Sequence, residues 1–81
     1  MKFKAGKDWK PAISGVVRGL RAEKGFKQAD LAEGLGIPVN GLSLIENGHR
    51  DLSMVEFFRL CEITKVSPVE AVTRMVKLIE G

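Results

Sequence analysis

The sequence predicts an all-α fold, a compact domain of five short helices, on three observations. Apolar residues recur at helical spacing in five separate stretches, and no run alternates apolar and polar residues as a half-buried strand would. Most of the glycines and prolines, and two Ser-x-x-Glu sequences, fall between those stretches, where the chain has to turn and helices have to start. The chain has 81 residues, 44% of them apolar, which is enough for one small core and too little for two.

Residues 1–10, MKFKAGKDWK, alternate lysine with Phe3, Trp9 and small residues. They read as a basic N-terminal arm, and residues 11–81 as the folded domain. Pro11 suits a first helical turn, where its missing N–H leaves nothing unpaired, and Asp8 is the better residue to cap that turn. Ile13, Val16, Val17, Leu20 and Ala22 then form the first apolar stripe, which Gly25 stops. Gly15 and Gly19 lie inside it, and each costs up to about 1 kcal/mol in helix propensity. Either another helix approaches closely there or this helix is weak.

The stretch from Lys27 to Gly48, KQADLAEGLGIPVNGLSLIENG, reads as two amphipathic helices, about 28–35 and 39–46, around a tight turn. Leu31, Ala32 and Leu35 face inward from the first, Leu42 and Ile45 from the second, and Ile37 points back between them. Gly36 and Gly48 can take the left-handed conformation that ends a helix. Both starts are poorly capped, because Lys27 and Pro38 occupy the places where Ser or Thr would accept a free N–H; Gln28 partly replaces the first cap. Helices this short are not stable alone, since isolated ones need roughly 12–15 residues to be even marginal. Packing against the flanking segments has to hold the pair.

Ser53 to Glu56 is a capping box that opens a fourth helix, about 54–63, with Phe57, Leu60 and Cys61 inward. Ser67 to Glu70 is a second, with Pro68 at the first helical position of a helix running to about 79. That last helix carries Val69, Val72, Val76 and Ile79 in one stripe, widened by Ala71, Met75 and Leu78. Either it is buried all round, or Val72, Met75, Val76 and Ile79 form a surface for self-association.

Composition narrows the function. Thirteen Lys and Arg against ten Asp and Glu leave a net charge of +3, which permits a polyanionic partner without demanding one. The basic residues concentrate early, at Lys2, Lys4, Lys7 and Lys10 and then at Arg18, Arg21, Lys24 and Lys27. No apolar run approaches the roughly 18 residues of a membrane span, and no apolar stretch follows the basic N-terminus as a secretory signal requires. One cysteine, Cys61, forms no internal disulfide, and one histidine without a thiol pair makes no structural zinc site. An intracellular location follows, with neither metal nor cofactor. Neither a phosphate-cradling G-x-x-x-x-G-K loop nor a paired-carboxylate cleft points to an enzyme.

Across residues 13–72 the sequence resembles the phage repressor and Cro-type helix-turn-helix family, often called the Xre family. The matching residues are Leu20-Arg21, the G-x-x-Q of 25–28, Leu31-Ala32, Leu35-Gly36, the S-x-x-E-N-G of 43–48, Ser53 and the V-S-P of 66–68. Three departures stand out: Leu44, where the family more often has a long polar residue, Leu52, where it has proline, and Thr64-Lys65, where it has leucine and the glycine that turns the chain. The resemblance implies a five-helix repressor-like fold with its helix-turn-helix at about 28–46, and a bacterial or phage-encoded, cytoplasmic, nucleoid-associated regulator. Its third helix would enter the major groove of double-stranded DNA, usually with a two-fold partner.

The resemblance also implies roles. Arg21 and Glu46 would be a clamp between the first and third helices, suited to a bidentate guanidinium–carboxylate contact. Gln28 would reach a phosphate, or cap the second helix. Val39, Asn40, Ser43 and Leu44 would face the bases, with Asn40 able to pair with adenine, Ser43 with most base edges and Val39 with a thymine methyl. Lys27, Asn47 and Arg50 would meet the sugar-phosphate backbone; His49 reads as a turn residue or a further contact. The leading reading is a sequence-specific DNA-binding transcriptional regulator acting as a homodimer. The competing reading is a protein-interaction module of the same fold, such as an antitoxin or an inhibitor.

Overall fold

A computed structural model describes residues 9–80. The greater part of the expected arm, residues 1–8 with Asp8 as first cap, lies outside the described residues. The five helices stand in the expected places: α1 Trp9–Glu23, α2 Gln28–Leu35, α3 Val39–Glu46, α4 Met54–Thr64 and α5 Pro68–Glu80. Trp9 and Lys10, assigned above to the arm, open α1 instead, so Pro11 is its third residue and still sits among the N–H groups that have no helical partner.

Hydrophobic burial joins the helices. Leu20, Leu31, Leu42 and Leu60, from four different helices, are fully buried together with Ala71 of α5. Helix α1 packs against α5 and α3, and α2 against α3 and α4. The helix-turn-helix is thus held between α1 and α4, which two eight-residue helices without side-chain N-caps need. Gly36 ends α2 at φ +75°, and its N–H and that of Ile37 return to Glu33 and Ala32.

The two glycines inside α1 have different explanations. A Cβ on Gly15 would come within 3.2 Å of Leu78 Cδ1, so α5 does approach closely there. Gly19 faces open space, with nothing within 4 Å of such a Cβ. Gly19→Ala is therefore expected to stabilise the domain by about 0.5–1 kcal/mol. A urea midpoint at or below that of the parent protein would contradict this.

The two capping boxes also differ. Ser53 and Glu56 form both halves: Glu56 N–H donates to Ser53 Oγ at 3.1 Å and Ser53 N–H donates to Glu56 Oε1 at 2.8 Å. At the start of α5 the N–H of Glu70 donates to Ser67 Oγ at 3.1 Å, but the Glu70 carboxylate accepts instead from Arg74, at 2.6 Å. The second sequence is a serine cap with an i, i+4 ion pair. Lys65, standing where a glycine would turn the chain, takes the left-handed conformation itself, at φ 60° and ψ 32°.

Helix α5 is not buried all round. Ala71 and Met75 lie in the core, Val76 and Ile79 are half-buried, and Val69, Val72 and Leu78 are exposed. Met75, expected as a self-association contact, packs mainly into the core and is 7% exposed. No helix among the described residues is long and apolar enough to cross a membrane.

Candidate nucleic-acid interface

Helix α3 presents one face to the core and one outward. Leu42 and Ile45 are buried, whereas Val39, Asn40 and Leu44 are exposed and Ser43 is half-exposed. The four residues expected to face bases therefore share one accessible surface. That surface carries two large apolar groups, Val39 and Leu44, each 45% exposed, beside one amide and one hydroxyl.

What holds α3 in position is a set of bonds converging on Glu46, whose side chain is only 3% exposed. Arg21 Nε donates to Glu46 Oε2 at 2.7 Å and its Nη2 to Oε1 at 3.1 Å, the expected bidentate clamp. The hydrogen bond to Glu46 raises the Arg21 pKa above its ordinary value. Arg21 Nη1 also reaches the Phe26 carbonyl at 3.2 Å, so one side chain ties α1 to both the loop before α2 and the end of α3.

Gln28 belongs to the same cluster. Its Nε2 donates to Glu46 Oε1 at 2.9 Å, which ties to α3 one of the two N–H donors of the amide expected to reach a phosphate or cap α2. Lys27 occupies the N-cap position without a side-chain cap bond, and its ammonium has no carboxylate partner among the described residues. With no cap, the first backbone N–H groups of α2 stay open to an anion beside that ammonium.

The carbonyls that end α3 are all paired. The Ser43 carbonyl accepts from Asn47 N–H at 3.0 Å and from Asn47 Nδ2 at 2.8 Å, and that of Leu44 accepts from His49 N–H at 2.8 Å. The Ile45 carbonyl accepts from Gly48 N–H at 3.1 Å and from the buried Ser14 hydroxyl at 2.9 Å. Arg18 Nη1 donates to the carbonyl of Glu46. Asn47 is accordingly the C-cap of α3, its amide turned back on its own helix, and Gly48 supplies the left-handed turn at φ +78°.

Arg50 is likewise engaged. Its fork donates to both oxygens of Glu56, at 3.1 and 2.9 Å, and to the Asp51 carbonyl at 3.1 Å. Because Glu56 also closes the α4 capping box, Arg50 locks the α3–α4 turn to the start of α4. The hydrogen bond from Arg50, assisted by the Ser53 N–H, holds the Glu56 carboxyl down at about 2.

Lys27 alone of the three expected backbone contacts has its charged or amide group uncommitted. The roles of Ser14 and Arg18 escaped the sequence reading, although their spacing with Arg21, at i, i+4 and i+7, places all three on one face of α1. No group of three or more His, Cys, Asp or Glu side chains able to hold a metal ion occurs among the described residues.

Comparison with known proteins agrees with this architecture. The helix-turn-helix family profile matches residues 17–70. The crystal structure of the clp gene regulator ClgR from Corynebacterium glutamicum superposes with a TM-score of 0.83 at 22% identity, over 89% of this chain and 77% of that one, and so shares the fold. The restriction-modification controller protein C.Esp1396I superposes at 0.83 with 26% identity, over 94% of this chain and 100% of that one. The controller protein C.AhdI from Aeromonas hydrophila reaches 0.69 at 28% identity, over 75% of this chain and 92% of that one. No curated protein sequence matches the chain.

Proposed function

Because the chain belongs to the phage repressor and Cro-type helix-turn-helix (Xre) family, we propose that it is a sequence-specific, double-stranded-DNA-binding transcriptional regulator that acts as a homodimer. The observation that carries this reading is the exposed face of Val39, Asn40, Ser43 and Leu44 on a helix whose every other side is fixed by the core and by the Glu46 cluster. A rigid helix with an accessible face suits insertion into a major groove, where Asn40 reads an adenine and Val39 and Leu44 lie against thymine methyls. Lys27 and the open N–H groups of α2 take a phosphate at one end of the motif. Structural likeness to proteins described as a gene regulator and as restriction-modification controllers supports the same class.

On this reading Asn40→Ala weakens binding to the preferred duplex by about 1–3 kcal/mol and leaves binding to a scrambled duplex unchanged, because the adenine contact exists only where the adenine does. Titrating parent and variant against both duplexes checks it. Equal losses on both would assign Asn40 to general affinity and not to base reading.

A second copy is proposed to cover the apolar surface of α4 and α5. Of the residues expected there, Val72 is exposed and Val76 and Ile79 are half-buried; Val72 shares a groove of about 150 Å³ with Ile13, Leu52, Met54, Phe57 and Met75. Val55, Phe58 and Val69 add exposed apolar area on the same two helices. If that pairing follows the two-fold geometry of helix-turn-helix dimers, the two α3 helices stand about one duplex turn (~34–36 Å) apart. Sedimentation at micromolar protein is expected to show dimers, and Met54→Glu with Val72→Glu to show monomers. A parent protein still monomeric at 100-fold higher concentration ends the dimer reading. The groove and the apolar α3 face also fit a protein-binding module; that alternative gains if no duplex is bound specifically.

A further inference from the structure

The arginines of this domain divide by what neutralises them. Arg21, Arg50 and Arg74 each face a carboxylate, from Glu46, from Glu56, and from Glu23 and Glu70 respectively. Arg18 faces none among the described residues; its bonded partner is the backbone carbonyl of Glu46. A carbonyl orients a guanidinium without cancelling its charge, and one bond leaves most of the fork's five N–H donors unused. Arg59, bonded to the Leu35 carbonyl at 3.2 Å, is in the same state at the end of α2. Arg18 differs from it in having a second cation beside a cleft.

Lys10, Ser14 and Arg18 follow at i, i+4 and i+8 on α1 and so line one side of that helix. With Pro11, Asn47 and Gly48 they surround a cleft of about 350 Å³ at the C-terminal end of α3. No carboxylate lines the cleft. Asp51 approaches Lys10 Nζ at 3.5 Å, but both side chains are largely exposed, and an ion pair of that kind exchanges readily for another anion. The carbonyls ending α3 would repel an anion if bare, but each is already bonded, as described above.

The geometry points to this cleft as a phosphodiester site, in which Lys10 and Arg18 hold a backbone phosphate of the duplex past the C-terminal end of α3. The inference rests on the DNA reading above. It transfers the second backbone contact from Arg50, whose charge Glu56 neutralises, to helix α1. The duplex would then be gripped at both ends of the motif, by Lys27 with the α2 N-terminus and by Lys10 with Arg18.

The test is the salt dependence of binding to a duplex selected by the parent protein, for Lys10→Gln, Arg18→Gln, the double variant, and Lys27→Gln as reference. Glutamine at position 18 keeps an N–H for the Glu46 carbonyl while removing the charge. Each lost contact lowers the salt exponent by about 0.9, so between about 50 and about 200 mM salt the double variant loses about tenfold less affinity than the parent. The change is expected to be the same on selected and scrambled duplexes. Lys10→Gln, at an exposed position, reports alone if Arg18→Gln fails to fold. A double variant with the parent's exponent, beside a lowered exponent for Lys27→Gln, overturns the cleft and leaves the DNA reading standing. A parent protein whose binding ignores salt overturns both. Inorganic phosphate that shifts the Gly48 amide resonance, with no competition from duplex, would mark a free-anion site and overturn the inference as well.

Discussion

Arg21→Ala is expected to lower the stability of the domain by about 2–4 kcal/mol, because it strands a buried carboxylate. The Glu46 side chain is almost wholly buried, and three of its contacts come from Arg21 and Gln28. Removing the guanidinium leaves a buried negative charge with the Gln28 amide as its remaining side-chain donor. The desolvation already suffered by Glu46 is then uncompensated, and the Phe26 carbonyl loses its partner too. Arg21 is itself 23% exposed, so water softens the loss toward the lower half of that range. Adding Glu46→Gln to the alanine variant removes the charge and recovers part of the stability. Chemical denaturation of the single and double variants measures both, and a single variant with the parent's midpoint would show that the cluster does not hold α3.

Acid is expected to loosen the turn between α3 and α4. Arg50 and the Ser53 N–H hold the Glu56 carboxyl at about 2, well below an ordinary glutamate. A carboxyl whose folded pKa lies below its unfolded one stabilises fully at pH values above the unfolded pKa and loses that contribution as pH falls toward the folded one. The window therefore runs from about pH 5 down to about pH 2. The contribution at stake is on the order of 2 kcal/mol once solvent around the half-exposed Arg50 is allowed for. Glu56→Gln is expected to be less stable than the parent at pH 7 and to show a flatter stability profile below pH 5. Identical slopes for parent and variant across that window would place the acid sensitivity elsewhere.

Most of the fold was legible because its determinants are local. Apolar spacing, the glycines at 25, 36 and 48 and the serines at 53 and 67 each set an element boundary that the structure keeps to within a residue or two. The start of α1 lies two residues earlier than expected: Trp9 is in register with Ile13 and Val16, at i, i+4 and i+7, but the lysine-rich stretch around it and Pro11 two residues on read as an arm followed by a first turn. Lys65 stands out in the sequence as a departure from the glycine that turns the chain, but nothing in a lysine side chain foretells that it takes the left-handed conformation itself.

The site was legible in part, and the division is physical. Which residues face outward on α3 follows from periodicity, since Leu42 and Ile45 fix the buried side. Which polar groups are already spent does not, because it depends on partners distant in sequence. Glu46 takes its donors from residues 18 and 25 positions away, Gln28 and Arg21, and Ser14 reaches a carbonyl 31 positions on. Arg50 is the exception, since its partner Glu56 lies only six residues later, opposite it across the turn. In α5 the sequence shows a broad apolar stripe, but only the three-dimensional arrangement decides that Met75 turns into the core while Val72 stays outside.

Whether the exposed face of α3 reads the sequence of a duplex is settled by in vitro selection of bound duplexes from a random library. The expected product is a site with an adenine placed for Asn40 and neighbouring thymines for Val39 and Leu44, repeated as two half-sites about one helical turn apart. Rounds of selection that leave the library as random as it began, with affinity no greater than that of an unrelated mildly basic protein, would contradict sequence reading by α3.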